Sequence, residues 1–139
     1  MYVWAIDQFG QVIDVYVSPQ RDSVAARCFF TRALFTTKVN PVEVTTDKAA
    51  VYPHVLDELA PGAWHLTQAY ANNRLEADHG HLKRRLRPMR SLKTDHSARI
   101  TIAGHAFIQN IRRGHYELGV DEPVTLRVVA AFDELTLAI

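Results

Sequence analysis

Asn72-Asn73-Arg74-Leu75-Glu76-Ala77-Asp78-His79-Gly80-His81-Leu82-Lys83-Arg84-Arg85-Leu86-Arg87-Pro88 reads as a loop feeding a basic helix with a carboxylate in its first turn. Asn72 or Asn73 supplies an N-cap, Glu76 and Asp78 sit where the helix dipole favours negative charge, and Pro88 marks the stop. Leu75, Leu82 and Leu86, with His79 between them, recur at helical spacing, so this side should face a core. Glu76, Gly80, Lys83 and Arg87 share the neighbouring side. There the bare Cα of Gly80 would let a second backbone or a ligand approach the carboxylate.

Outward from that stretch, 139 residues of which 47% are hydrophobic are enough for one α/β domain and too few for two ordinary ones. No apolar run reaches bilayer length, and Met1-Tyr2-Val3-Trp4 has no basic lead into a hydrophobic region. The expectation is a soluble, unexported, cytoplasmic protein with no membrane partner. Cys28 is the only cysteine, which excludes an internal disulfide and a cysteine-built zinc site. Its place between Ala25 and Phe29 in a helical pattern predicts a core residue rather than a nucleophile. The net charge of +1 hides a division: Arg74 to Arg113 holds ten Lys or Arg against three acids, and the remainder holds six against twelve. Such a basic third suits a polyanion partner, and on charge alone a solvated helix face is an equal reading.

Tyr2 to Asp7 and Gln11 to Val17 are runs rich in Val, Ile, Tyr and Trp around Gln8-Phe9-Gly10, which predicts a hairpin. After Ser18-Pro19, Asp22 or Ser23 caps a helix to about Thr36, with Val24, Ala25, Cys28, Phe29, Ala33 and Leu34 as its apolar positions. Val42 to Thr46 is a short β-branched strand delivering Asp47 at its C-terminal end, where sites form in open α/β sheets. Ala49 to Leu59 predicts a short helix closed by Pro61-Gly62, and Trp64-His65-Leu66 a brief strand. Past the basic helix, Arg87 to Lys93 is a connector and Thr94 or Asp95 caps the longest helix. Its stripe Ile100, Ala103, Phe107 and Ile111, flanked by Ile102, Ala106 and Ile108, should be buried up to Gly114. After Pro123, Leu126, Val129, Ala130, Phe132 and Leu135 fit one more amphipathic helix.

Asp47 and Glu76 lie 29 positions apart. A strand, a helix and a second strand between them would return the chain to one sheet edge. Two ionised carboxylates converging there need a cation, most naturally Mg²⁺ or Mn²⁺ on oxygen ligands. A pair of such ions activates an attacking oxygen and stabilises a leaving one in phosphodiester chemistry. From spacing alone the plainer reading carries more weight, with Asp47 capping the next helix and Glu76 an exposed first-turn acid. His79, His81 and His105 invite a zinc reading, but i and i+2 on a helix point apart, so one histidine should pack beside Glu76 and one face solvent. Lys83, Arg84, Arg85, Arg87, Arg90 and Lys93 form a candidate phosphate-binding rail. Tyr70 and Trp64 could stack on bases, although an aromatic beside a strand is more often core.

Thr45-Thr46-Asp47-Lys48-Ala49, then His65, then Asn72 to Gly80 followed by Leu82-Lys83, resembles the insertion-sequence transposases with an Asp-Asp-Glu triad, specifically the IS-six-type group. Ala5-Ile6-Asp7 with Gly10, and Arg21-Asp22 before the first helix, match as well. The resemblance implies a ribonuclease H-like α/β fold, incomplete for want of its first strand, with C-terminal helices. Residues 1–114 would be a partial catalytic core and 115–139 a helical tail. It implies that Asp47 and Glu76 are catalytic and metal-binding, with two Mg²⁺ or Mn²⁺ ions in an intact homologue. The implied activity is metal-dependent DNA strand cleavage and transfer. Partners would be mobile-element ends and target DNA, held by Asn72, Asn73, Arg74, His79, Lys83, Arg84, Arg87, Arg90 and Lys93, with a homo-oligomer as a further partner state.

The chain departs from the family pattern in three places. The family's first catalytic Asp lies on a strand upstream of what is Met1 here, and neither Asp7 nor Asp14 replaces it. The family's N-terminal helix-turn-helix region is missing, and the Asp47 to Glu76 spacing is somewhat short. The expectation is therefore a chain inactive alone, with a sheet that has a gap, a shifted pairing, or an edge filled by another chain. The alternative function is a non-enzymatic DNA-binding remnant or a partner for transposase subunits.

Overall fold

The computed structural model describes residues 2–67, 73–88 and 92–139. β1 (Tyr2–Ile6) and β2 (Val12–Val17) pair antiparallel, with Tyr2 opposite Val17, Trp4 opposite Val15 and an irregularity between Ala5 and Ile6. The hairpin is closed by Asp7, whose Oδ1 accepts from the amides of Phe9 and Gln11 at 2.9 Å each. Gly10 supplies the left-handed residue that this turn needs, at φ 86°. α1 (Ser23–Thr37) follows, capped by Asp22, whose Oδ1 accepts from Ala25 N at 2.8 Å.

β3 (Glu43–Thr45), α2 (Val51–Leu59) and β4 (Trp64–Leu66) come next, and β3 and β4 pair parallel, Val44 opposite His65. α3 (Asn73–Leu86) and α4 (Asp95–Arg113) follow, with Thr94 capping α4 and Gly114 ending it at φ 75°. α5 (Arg127–Leu137) lies against α4, and its Ala131 is fully buried. Its tie to α4 is Arg127, whose Nη1 donates to the Arg112 carbonyl at 3.0 Å.

The pleat of the β1–β2 ribbon divides its side chains between two helical layers. Val3, Ala5 and Tyr16 pack on Ala26, Phe29 and Phe30 of α1 and Tyr52, Val55 and Leu56 of α2. Trp4, Ile6, Val12, Val15 and Val17 pack on Leu82 and Leu86 of α3 and Ala98, Ile102 and Ala106 of α4. Apolar residues at consecutive positions of β1 are what a strand covered on both faces requires. The mixed α/β architecture is observed. Among the described residues there are two separate two-stranded ribbons, β1–β2 and β3–β4, and Val44 of β3 rests on the same α1–α2 layer as Val3 and Ala5 of β1.

Three sequence expectations are overturned. Cys28 is exposed, because the buried stripe of α1 is Ala25, Ala26, Phe29, Phe30 and Ala33 and Cys28 falls just off it. Trp64, expected in the core, is 74% exposed on the short strand β4. In α4 the row led by Ile100 is buried only at its end: Ile100, Ala103 and Phe107 are exposed and Ile111 is buried, and the buried face runs Ala98, Ile102, His105, Ala106, Gln109, Asn110 and Ile111. A polar side chain sets that rotation. Asn110 accepts from Val12 N at 2.8 Å through Oδ1 and donates to Val12 O at 2.9 Å through Nδ2, so it continues the β2 ladder as a strand would. In α5 likewise, Val129 and Phe132 are exposed and Ala131 is buried.

Candidate carboxylate site and nucleic-acid interface

Because β3 and β4 run parallel, their C-terminal ends lie side by side. Asp47 follows the end of β3. Thr46 between them is buried and extends the ladder, its amide donating to Leu66 O at 3.0 Å. The Thr46 hydroxyl donates to the Asp47 carbonyl at 2.8 Å and lies 2.7 Å from His65 Nε2. With the one hydroxyl proton committed to Asp47, His65 must carry its proton on Nε2 and donate. His65, which sequence reasoning met only within a pattern, thus pins the backbone that presents Asp47.

The Asp47 carboxylate has two partners. Oδ1 accepts from Ala49 N at 3.0 Å, an Asx turn leading toward α2. The N-cap position of α2 is Ala50, without a side-chain bond, so the expectation that Asp47 caps this helix is replaced by the turn. Oδ2 pairs with Nη2 of Arg21, and both side chains are about half exposed. The hydrogen bond to Asp47 raises the Arg21 guanidinium above its ordinary value, partly offset by desolvation, with smaller contributions from the charge of Asp47 and from Tyr52. Sequence reasoning noted Arg21 only as a pattern residue; its closeness to Asp47 spans 26 positions and has no local signal.

The backbone of Glu76 lies in the first turn of α3, the next element after β4. The side chains of Glu76, Asn73 and Arg74, and all of Asn72, Tyr70 and Arg90, lie outside the described residues. Among the described residues no group of three or more His, Cys, Asp or Glu side chains could hold a metal ion. Asp47 is a half-exposed oxygen donor that already takes a cationic partner, Arg21. Of the other acids weighed, Asp7 is committed to the hairpin turn and Asp14 to Arg32 of α1 at 2.8 Å.

α3 separates its two sides cleanly. Leu82 is fully buried, Leu86 is half-buried, and His79 meets the Trp4 ring edge-on at 5.4 Å. His105 meets the same ring at 5.8 Å, so both histidines pack on an indole. His81 is exposed and accepts from Arg84 Nη2 through Nδ1 at 2.7 Å. Lys83, Arg84, Arg85 and Arg87 are exposed along the outer side, and Lys93 is exposed before α4. The ion pairs among the described residues are Arg21–Asp47, Arg27–Glu58 and Arg32–Asp14, none of which uses a cation of α3. At Gly80 an added Cβ would meet nothing within 4 Å, so no described part of this chain makes the close approach that the glycine was expected to serve. No helix among the described residues is long and apolar enough to cross a membrane.

Residues 1–115 match the family described as DDE domain. The chain is 33% identical over 96 residues to the transposase for insertion sequence-like element IS431mec of Staphylococcus aureus, covering 65% of this chain and 42% of that protein. It matches with the same figures, 33% over 96 residues, the transposase for insertion sequence element IS257 in transposon Tn4003 of Staphylococcus aureus. The chain therefore spans about two fifths of the length of these curated relatives, 42%. No solved structure matches.

Proposed function

The chain belongs to the IS-six-type DDE-domain transposases, and on that premise we propose that it serves DNA strand cleavage and transfer in transposition. Its own described part in that activity is to hold the phosphate backbone of duplex DNA along α3. One observation carries this reading: Lys83, Arg84 and Arg85 at the end of α3 and Arg87 just past it are exposed and unpaired with any described carboxylate, while the helix is anchored in the core by Leu82. A cluster of cations at the C-terminal end of a helix fits sequence-independent phosphate contact. Asn72, Asn73, Arg74, Arg90 and Lys93 complete the proposed DNA contacts; His79, read from the sequence as another, packs instead on Trp4 at the core side of α3.

Asp47 and Glu76 are the proposed catalytic carboxylates and would hold Mg²⁺ or Mn²⁺. When bound, the ions activate the attacking oxygen and stabilise the leaving oxygen of a phosphodiester. The chain's own contribution is positioning. Thr46 and His65 fix the backbone of Asp47, the Ala49 amide orients Oδ1, and Arg21 supplies a positive charge beside Oδ2. The parallel β3–β4 pair supports convergence, since Asp47 follows the end of one strand and α3 is the element after the other.

The reading in which the chain binds DNA without cutting it is favoured by a separate observation, that Asp47 is already neutralised by Arg21. Both readings meet in one assay on duplex carrying element ends. Binding that persists in EDTA and falls linearly with salt on log-log axes is expected. Mg²⁺-dependent nicking that Asp47→Asn and Glu76→Gln abolish would establish catalysis by this chain. Binding without nicking would leave the DNA-holding role, and no binding at low salt would refute the proposal.

A further inference from the structure

The basic end of α3 borders a cavity. Leu82 and Leu86 of α3 share a core cluster with Leu92, Ala98 and Ile102. At the edge of that cluster the end of β2, the connector before α4 and the first turns of α4 frame an open space of about 280 Å³. Its inner walls are Val17, Leu92, Ala98 and Ile102, and its rim is Lys93, Thr94 and Asp95. Pockets for drug-sized ligands hold about 300–1,000 Å³, so this one suits a single ring system rather than a whole nucleotide.

The rim carries one charge of each sign. Thr94 is extended, at φ −138° and ψ 152°, which sets Lys93 and Asp95 on one side of the chain. The Thr94 hydroxyl is committed to α4, accepting from Ser97 N at 3.1 Å. Lys93 and Asp95 are exposed, and neither forms an ion pair among the described residues. Asp95 disfavours a simple anion and Lys93 a simple cation. What fits both is a neutral ligand with an acceptor and donors along one edge, since a lysine only donates and an ionised aspartate only accepts. Both oxygens of a carboxylate are used by two parallel N–H donors. Among the DNA bases, guanine alone presents such a pair, N1–H and the 2-amino group, beside an acceptor, O6. That edge is occupied in a base pair, so the base must be unpaired to be read there.

We infer that this cavity binds an unpaired guanine base of DNA held on α3. The ring lies against the aliphatic walls, O6 accepts from Lys93 Nζ, and N1–H and the 2-amino group donate to the Asp95 carboxylate. The inference rests on the DNA-holding reading of α3, and it adds a contact that reads a base to contacts that only position the backbone.

The test uses the full 139-residue chain and duplexes with a short thymine overhang carrying a single guanine, hypoxanthine or adenine. The guanine probe should bind about tenfold more tightly than the adenine probe, the scale of one bidentate base contact. Hypoxanthine, which lacks only the 2-amino group, should lose most of that gain. Asp95→Asn should abolish the preference and leave affinity for the adenine probe unchanged. NMR of the parent should show the methyl signals of Val17 and Ile102 shifted by the guanine ring, and the adenine probe should leave them in place. Guanosine monophosphate, which lacks the duplex held on α3, should bind far more weakly; affinity equal to the guanine probe would move the source to a free nucleotide and overturn the inference. Equal affinity for guanine and adenine, or a preference that survives Asp95→Asn, would overturn it and leave the role of α3 standing. Failure of every duplex to bind at low salt would overturn both.

Discussion

Replacing Asn110 by Ala should cost about 3 kcal/mol, because the side chain substitutes for a neighbouring strand. Asn110 is 1% exposed and satisfies both backbone groups of Val12, which is itself buried. Its loss leaves a buried N–H and a buried C=O without partners, at about 1–3 kcal/mol each. A chain of this size is stable by about 7–20 kcal/mol at about 0.05–0.15 kcal/mol per residue, so the loss is a substantial fraction. Urea unfolding is the assay. With a slope of about 1.5–2 kcal/mol/M, the midpoint should fall by about 1.5–2 M at an unchanged slope. Asn110→Asp should not rescue, since a carboxylate cannot donate to Val12 O. Tyr116→Phe removes only the hydroxyl that accepts from Asn110 Nδ2 at 3.1 Å and should be far milder. An Asn110→Ala stability within about 0.5 kcal/mol of the parent, the range of an ordinary surface change, would refute the clamp.

Arg21→Met removes the cation that occupies Asp47, so Mn²⁺ binding, read by electron paramagnetic resonance titration, should tighten several-fold; unchanged or weaker binding would show that the two do not compete. Gly119→Ala should loosen α5 by about 2 kcal/mol or more, since Gly119 sits at φ 60° and a Cβ would lie 2.6 Å from the Arg127 carbonyl oxygen. Faster exchange of the α5 amides, with α1 unaffected, is the expected readout. Cys28 should react with a thiol reagent in the folded protein at close to its rate in the unfolded chain, and protection of many orders would return it to the core. Trp64→Ala should change stability by no more than about 0.5 kcal/mol, as for a surface site. A large loss would mean that the indole is packed.

The elements were legible in the sequence where a local rule decides them. Asp22 and Thr94 cap the helices they were expected to cap, Gly114 ends α4, and β4 has the bounds read from Trp64-His65-Leu66. The rotation of α4 was not legible, because it carries two apolar rows and the choice between them rests on distant contacts, Asn110 with Val12 and Ala98, Ile102 and Ala106 with the β1–β2 ribbon. Cys28 shows the same limit over a shorter range: α1 buries Ala25 with Ala26 and Phe29 with Phe30, and one step around the helix leaves the thiol outside. Trp64 is exposed because β4 is a three-residue strand whose first side chain faces away from the helices, which periodicity cannot show over so short a run. At the site, Asp47 was placed by the strand before it. Its partner Arg21, and His65 across the parallel pair, depend on tertiary contacts 26 and 19 positions apart.

The central claim, that α3 holds DNA by its phosphates, is tested most directly by the salt dependence of duplex binding. The parent is compared with a variant carrying Lys83→Ala, Arg84→Ala, Arg85→Ala and Arg87→Ala, all at exposed positions. Each phosphate contact contributes about 0.9 to the log-log slope, so the variant should lose about 3–4 units of slope, with Glu76→Gln matching the parent. A variant that keeps the parent's slope and affinity while remaining folded would contradict the claim.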